Sequence, residues 1–251
     1  MSDEYRRGKT HVLEVWGEFA CFTRPEAKVE RYSYPIITPS AARGIFDAIY
    51  FKRGYGFFWQ IEAVELLTLP RYIALRRNEV KNKAPNERTL KRWMSGQSEP
   101  EPLWADGGRD DLGTDQEGRT QRQTMALKNV RYRLHAHICQ RSQGAGDLRG
   151  MDEQFERRAP HGKCFYQPYL GCREFPAWFS ADLSDQAPVA MDMPLGWMVY
   201  DVFDLAAHNG TNAKPRISLF KAELKQGVMT VPPYASPAVR KNVVIEETGD
   251  A

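Results

Sequence analysis

The chain lacks any apolar run of the length needed to cross a bilayer. Its opening residues, Met1-Ser-Asp-Glu-Tyr-Arg-Arg7, hold no hydrophobic stretch of the kind a signal peptide requires, so a cytoplasmic protein with no membrane partner is expected. Cysteine is scarce. The four present, Cys21, Cys139, Cys164 and Cys172, lack the close paired spacing of a zinc ribbon, and in a reducing compartment they are expected to be free thiols. No charge of one sign dominates either: 35 Lys and Arg against 32 Asp and Glu leave a formal charge of +3, which does not by itself decide a nucleic-acid partner. Internal repeats and heptads are absent too, which excludes a solenoid and a coiled coil.

What is present is local. Its 251 residues, 42% of them hydrophobic, suffice for one large domain or two small ones. Charge is clustered: Arg71 to Trp93 carries eight Lys and Arg against two Glu, whereas Met94 to Thr120 carries seven acids against two Arg. Gly162-Lys-Cys-Phe-Tyr-Gln-Pro-Tyr-Leu-Gly-Cys-Arg-Glu-Phe175 packs two cations and four aromatics around a proline. Such a stretch is too polar for simple core, and Lys163, Tyr166 and Arg173 suit contact with RNA. A second cluster, Thr38 to Tyr50, opens on a helix start signal and ends beside Phe51-Lys52-Arg53.

Hydrophobic period fixes the expected elements. His11 to Phe22 reads as a strand, followed by a loop with Arg24 and Lys28 as RNA-contact candidates. Thr38 caps a helix with Pro39 in its first turn. Ala42, Ile45 and Ile49 fall on its inner face, and Arg43, Asp47 and Tyr50 on another, so that Tyr50 points away from the core and Arg43 is available to RNA. Gly44 costs that helix roughly 1 kcal/mol against alanine, which predicts another backbone passing close by. Phe57 to Leu67 is a second strand. Val130 to Cys139 is a third, with Val130, Tyr132, Leu134, Ala136 and Ile138 inward and Arg131, Arg133, His135, His137 and Cys139 outward as a basic face for RNA.

Met151 to Arg158 reads as a short helix and Cys172 to Phe179 as a fourth strand, confined to an edge by Pro176. The order β-α-β-β-α-β is the α+β plan of ferredoxin-like, RRM-type domains, here over residues 1–187 with an inserted arm at about 68–129. Beyond Pro188, Trp197 to Phe203, Ser218 to Leu224 and Gly227 to Val231 are expected as a small antiparallel sheet in a C-terminal region, 188–251. Arg76 and Arg77 in the arm, near Tyr72, suit phosphate binding.

Metal chemistry finds little footing. Asp106, Asp110, Asp111 and Asp115 form the one dense acidic group, and their spacing fails the calcium-loop pattern. His135, His137 and Cys139 on one strand face give poor tetrahedral geometry for zinc. RNA is cleavable without metal when a base takes the ribose 2′-hydroxyl proton, a cation stabilises the phosphate and an acid serves the leaving 5′-oxygen. No cofactor is expected.

Taken in order, Trp16-Gly-Glu-Phe-Ala-Cys-Phe-Thr-Arg-Pro-Glu26 with Lys28-Val-Glu-Arg31, the Thr38–Tyr50 and Gly162–Phe175 segments, Arg76-Arg-Asn-Glu79 and Ser236-Pro-Ala-Val-Arg240 resemble the fifth CRISPR-associated (Cas) protein family in its type I-C form, the Dvulg subtype. The resemblance implies an endoribonuclease that trims CRISPR repeat RNA and leaves a 2′,3′-cyclic phosphate and a 5′-hydroxyl. It implies a catalytic tyrosine at Tyr50 and, in some members, a lysine–histidine pair upstream of the segment matching Leu170-Gly-Cys-Arg-Glu174. This chain has no such pair; Lys163 is the nearest lysine, and His161 or His137 has to supply the imidazole. The implied partners are the repeat RNA and mature crRNA, the backbone and large subunits of a type I-C Cascade complex, and target double-stranded DNA. The alternative is a binding subunit of that complex that holds the crRNA 5′ handle without cutting.

Overall fold

A computed structural model describes residues 5–27, 30–80, 85–101, 119–207 and 215–241. The fold is α+β with antiparallel sheets. The chain divides into two compact units, Met1–Ile73 with Met125–Ala251, and Ala74–Thr124. The second starts and ends within the arm expected at 68–129, and the described part of the C-terminal region belongs to the first.

The large sheet is built on β5 (Arg119–Arg141), which pairs with β1 (Tyr5–Ala20) on one side and β3 (Phe57–Leu66) on the other. β6 (Trp178–Ser180) closes the β1 edge and β9 (Val228–Thr230) the β3 edge, giving the order β6-β1-β5-β3-β9; β2 (Arg31–Tyr32) and β4 (Arg71–Val80) also pair with β5. The alternation read in β5 holds on its inner side: Val130, Tyr132, Leu134, Ala136 and Ile138 are all buried. Helix α1 (Pro39–Ile49) packs on β3 and α3 (Leu148–Arg158) on β1. Their aromatic residues meet over one sheet face, where Phe46 and Phe155 lie 5.0 and 4.8 Å from Trp59 between ring centroids. Burying three large rings in one cluster is the main apolar contribution at this point.

Two strand readings change. Of Cys172–Phe179 only the end is strand: Phe175 donates its N–H to the Cys172 carbonyl at 2.9 Å, making a turn, and Pro176 has no N–H to give to a ladder. Gly227–Val231 does not join the second sheet. It adds to the open edge of β3, with Ala63 opposite Thr230 and Val64 opposite Met229, and buries Met229 there. The second sheet is instead β7 (Met193–Asp201), β8 (Ser218–Leu224) and β10 (Val239–Arg240), in the order β10-β8-β7.

In the second unit, α2 (Glu87–Met94) is capped by Asn86, whose side chain accepts from the Thr89 N–H at 2.9 Å, and none of its residues is buried. Among the described residues no helix is long and apolar enough to cross a membrane.

Candidate active site at the end of the first helix

Helix α1 is fixed at both ends. At its start the Thr38 hydroxyl accepts from the Ala41 N–H at 3.3 Å, with Pro39 in the first turn. At its end Tyr50 turns extended, keeps its N–H on the Phe46 carbonyl at 2.9 Å, and gives its own carbonyl to the Trp59 indole N–H at 2.9 Å. The ring of Tyr50 stacks on Phe57, 5.8 Å between centroids and 15° between planes. Only 7% of Tyr50 is exposed, so the expectation that it points away from the core is corrected: the aromatic pair holds the ring inward. Burial pushes its phenol above the usual tyrosine range; Lys52 pulls it down, Tyr55 raises it, and Arg158 pulls it down again.

Arg158 comes from the last turn of α3. Its guanidinium carbon lies 4.0 Å over the Phe165 ring, and the Phe165 N–H donates to the Ala48 carbonyl in the last turn of α1 at 2.7 Å. Between them Gly162, at φ +63°, reverses the chain, and the Lys163 N–H donates back to the Arg158 carbonyl at 3.1 Å. His161 and Lys163 thus sit, exposed, in the turn that leaves α3 and docks against α1. Lys52, also exposed, donates to the Tyr55 hydroxyl at 2.6 Å and lies 4.2 Å from that ring. The arrangement offers a neutral phenol beside cations, on two rigid helix ends joined by one loop.

Arg43 is not available to RNA. It is buried, donating to Asp201 at 2.7 and 3.2 Å and to Asp47. Because Asp201 belongs to β7, this cation ties α1 to the second sheet. Tyr166, half exposed, lies in the field of the same group: burial pushes its phenol up to about 12, with Asp47 and Tyr169 adding and Arg43 opposing.

The basic outer face expected on β5 is neutralised. Arg131 pairs with Glu14 on β1. Arg133 pairs with Glu65 on β3 at 2.6 Å and is capped by the Ser184 and Gln186 carbonyls; it is 13% exposed. His135 meets Glu65 at 2.7 Å and His137 meets Glu62 at 3.1 Å. Burial holds the His137 imidazole below its usual range against the pull of Glu62, and burial pushes the Cys139 thiol up to about 12. The acids come from the neighbouring strands, so nothing in the periodicity of β5 discloses them.

Of the remaining expected contacts, Arg24 lies 4.7 Å from the Tyr34 ring, Arg173 is exposed, and Lys28 falls outside the described residues. Arg76 is exposed and Arg77 partly so, both in the second unit. Among the described residues the backbone expected against Gly44 is missing: apart from its own helix, a Cβ added there meets no atom within 4 Å. Among the described residues no three His, Cys, Asp or Glu gather to hold a metal ion, and Asp106, Asp110, Asp111 and Asp115 lie outside those residues.

Two groups escaped the sequence reading. Arg158 was legible only as a basic residue at a helix end. His11 and Asp152 form a buried pair at 2.8 Å, with the second Asp152 oxygen accepting from the Lys9 N–H at 3.1 Å. That pair joins β1 to α3 beside Trp59 and Phe155, and a sequence separation of 141 leaves no local signal.

A family model described as CRISPR-associated protein (Cas_Cas5), in its Cas5d form, matches residues 10–232. A CRISPR pre-crRNA endoribonuclease Cas5d of Mannheimia succiniciproducens is 37% identical over 238 residues, which is 91% of this chain and 97% of the relative. One of the same description from Thermus thermophilus is 37% identical over 190 residues, 76% and 72% of the two chains. A crystal structure of a CRISPR-associated protein shares the fold with a TM-score of 0.60 at 18% identity, covering 94% of this chain and 99% of the other. A functionally uncharacterized Streptococcus mutans protein, SMU1763c, aligns with a TM-score of 0.59 at 17% identity over 94% and 98%. With a family model spanning most of its length and close to full coverage of a relative well above 30% identity, the chain belongs to the Cas5d family of CRISPR-associated proteins.

Proposed function

We propose that this protein cleaves CRISPR repeat RNA at the end of α1, without a metal ion, and stays on the 5′ handle of the product. The supporting observation is the junction of Tyr50, Arg158 and the 161–165 turn, held by the Phe165–Ala48 hydrogen bond. Relatives named as pre-crRNA endoribonucleases, at 37% identity, make repeat RNA the natural substrate. The strand order β6-β1-β5-β3 with α1 and α3 on one face supports a ferredoxin-like reading of the large sheet.

In the reaction the 2′-hydroxyl attacks the adjacent phosphorus, the bond to the 5′-oxygen breaks, and a 2′,3′-cyclic phosphate and a 5′-hydroxyl result. A tyrosine phenol is neutral near pH 7 and burial raises that of Tyr50 further, so it acts by hydrogen bonding on the 2′-hydroxyl or a phosphate oxygen. His161 takes the 2′-hydroxyl proton, Lys163 serves the leaving oxygen, and Arg158 and Lys52 stabilise the growing charge. In the assembled state the protein joins the backbone and large subunits of a type I-C Cascade complex, with target double-stranded DNA as a second nucleic acid.

The test is incubation of the purified protein with its cognate repeat RNA in EDTA. A single cut is expected in the parent, slowed by roughly 10²-fold or more in Tyr50→Phe, with RNA affinity kept. Full activity of Tyr50→Phe excludes the tyrosine, and activity lost in EDTA but restored by magnesium excludes the metal-free route. The deep seating of Tyr50 favours one second reading, a 5′-handle-binding subunit that does not cut; absence of cleavage by the parent under every condition selects it.

A further inference from the structure

Gly44 occupies the middle of α1, where glycine weakens a helix. Among the described residues nothing packs against it, since an added Cβ finds open space. A glycine on an open helix face allows the close approach of a bound molecule's backbone. The space is a cavity of about 430 Å³ shared by the two segments that stand out in the sequence. The cap Thr38 with Ser40 and Gly44 of α1 lines one wall and Tyr169, 40% exposed, another. Phe22 and Val199 give an apolar floor, and Arg24 closes the rim. The Arg24 guanidinium is oriented by Tyr34 at 4.7 Å and Tyr32 at 5.8 Å, and its carboxylate neighbour Glu26 stands 3.7 Å away. Its Nε is buried and has no hydrogen-bond partner among the described residues.

We propose that this cavity holds one unpaired nucleotide of the bound RNA: the base against Tyr169 and the apolar floor, the phosphate on Arg24, the sugar–phosphate backbone passing over Gly44. An aromatic rim, hydroxyls and one oriented cation are the chemistry by which proteins take single-stranded bases. The volume suits one nucleotide and not a duplex. Gly44 precedes Tyr50 by six residues, about 9 Å along the helix axis, so the subsite anchors the strand next to the cutting position rather than at it. The inference rests on the RNA reading above and adds a specificity site to it.

Three proteins decide the matter: the parent, Gly44→Leu and Tyr169→Ala, each measured for Tm, for Kd with labelled repeat RNA, and for cut fraction. Gly44→Leu adds a side chain to empty space and improves the helix, so Tm should rise by about 2–4 °C. Repeat-RNA binding should nonetheless weaken about tenfold, because the cavity is filled. A role confined to folding moves both quantities together; opposite movement is the signature of a ligand site. Tyr169→Ala should leave Tm unchanged and weaken binding about tenfold, and the double variant should bind no worse than the weaker single one. Parental Kd in Gly44→Leu with Tm kept or raised overturns the proposal. If Gly44→Leu lowers Tm, Tyr169→Ala decides, and parental Kd there overturns it. A parent that binds repeat RNA but never cuts overturns the nuclease reading and leaves the cavity to the Kd values, whereas a parent that binds no repeat RNA overturns both.

Discussion

Arg43 and Asp47 stand one helical turn apart on α1 and meet a third charged group, Asp201, in a buried site. Two carboxylates therefore share one guanidinium. Burial pushes Asp47 up to about 6, Arg43 pulls it down, and Asp201 pushes it up again. Removing the cation as Arg43→Ala leaves uncompensated buried charge and should cost about 3–5 kcal/mol in urea denaturation. The pH dependence follows from the sign of the Asp47 shift. Its folded value exceeds the ordinary carboxylate value near 3.8, so the folded state binds the extra proton between the two. The contribution of Asp47 is thus fully present below about pH 4 and lost as pH rises through about 6. Asp47→Asn does not titrate, so the parent-minus-variant stability difference should decline across that window and level off above it. A flat difference from pH 4 to 7 removes Asp47 as the titrating group.

At the scale of elements, β5 shows what sequence discloses and what it hides. Its inner set was legible because a period of two puts one apolar set against one buried face. The outer set read as basic because Glu14, Glu62 and Glu65 stand on other strands and meet it only through register. Glu14 shows how complete the neutralisation is. Burial works to raise its carboxyl, but the Ser184 N–H and hydroxyl and the Arg131 guanidinium outweigh that and hold it below its usual range. Arg131→Glu with Arg133→Glu should therefore act on stability, by roughly 3 kcal/mol or more through the buried Glu14 and Arg133, 13% exposed, and lower Tm before any loss of RNA affinity in still-folded protein. Helix α1 was legible in its cap, its proline and its inner face, since each is a local signal. Ile45 is fully buried there, and Ile45→Ala should cost about 2–5 kcal/mol; an unchanged melting temperature contradicts the face assignment. The seating of Tyr50 was not legible, because the Phe57 ring that holds it comes from the next strand. Cys172–Phe179 read as strand throughout, yet only Trp178 and Phe179 at its end pair with β1, while Phe175 closes a turn onto Cys172.

For the whole molecule, a formal charge of +3 overstates the difficulty of binding a polyanion and understates where the charge lies. Arg43, Arg131 and Arg133 are engaged with carboxylates inside the first unit and contribute little to an external field. The remaining cations at the candidate site are Lys52, Arg158 and Lys163. In the second unit, Arg76 on β4 and Arg88 and Arg92 on α2 are exposed, while Lys91 is paired with Glu87 at 2.7 Å. Repeat-RNA affinity should therefore fall linearly in log Kd against log salt, by about 0.7 per single-strand phosphate neutralised. Arg88→Glu with Arg92→Glu, at positions where no side chain is buried, should leave Tm unchanged, weaken binding at every salt concentration and lower the slope by roughly 1–2. Titrations from 50 to 300 mM salt with labelled repeat RNA read both effects together. An unchanged slope in this variant assigns the phosphate contacts to the first unit alone, and a slope near zero in the parent removes phosphate neutralisation as the basis of binding.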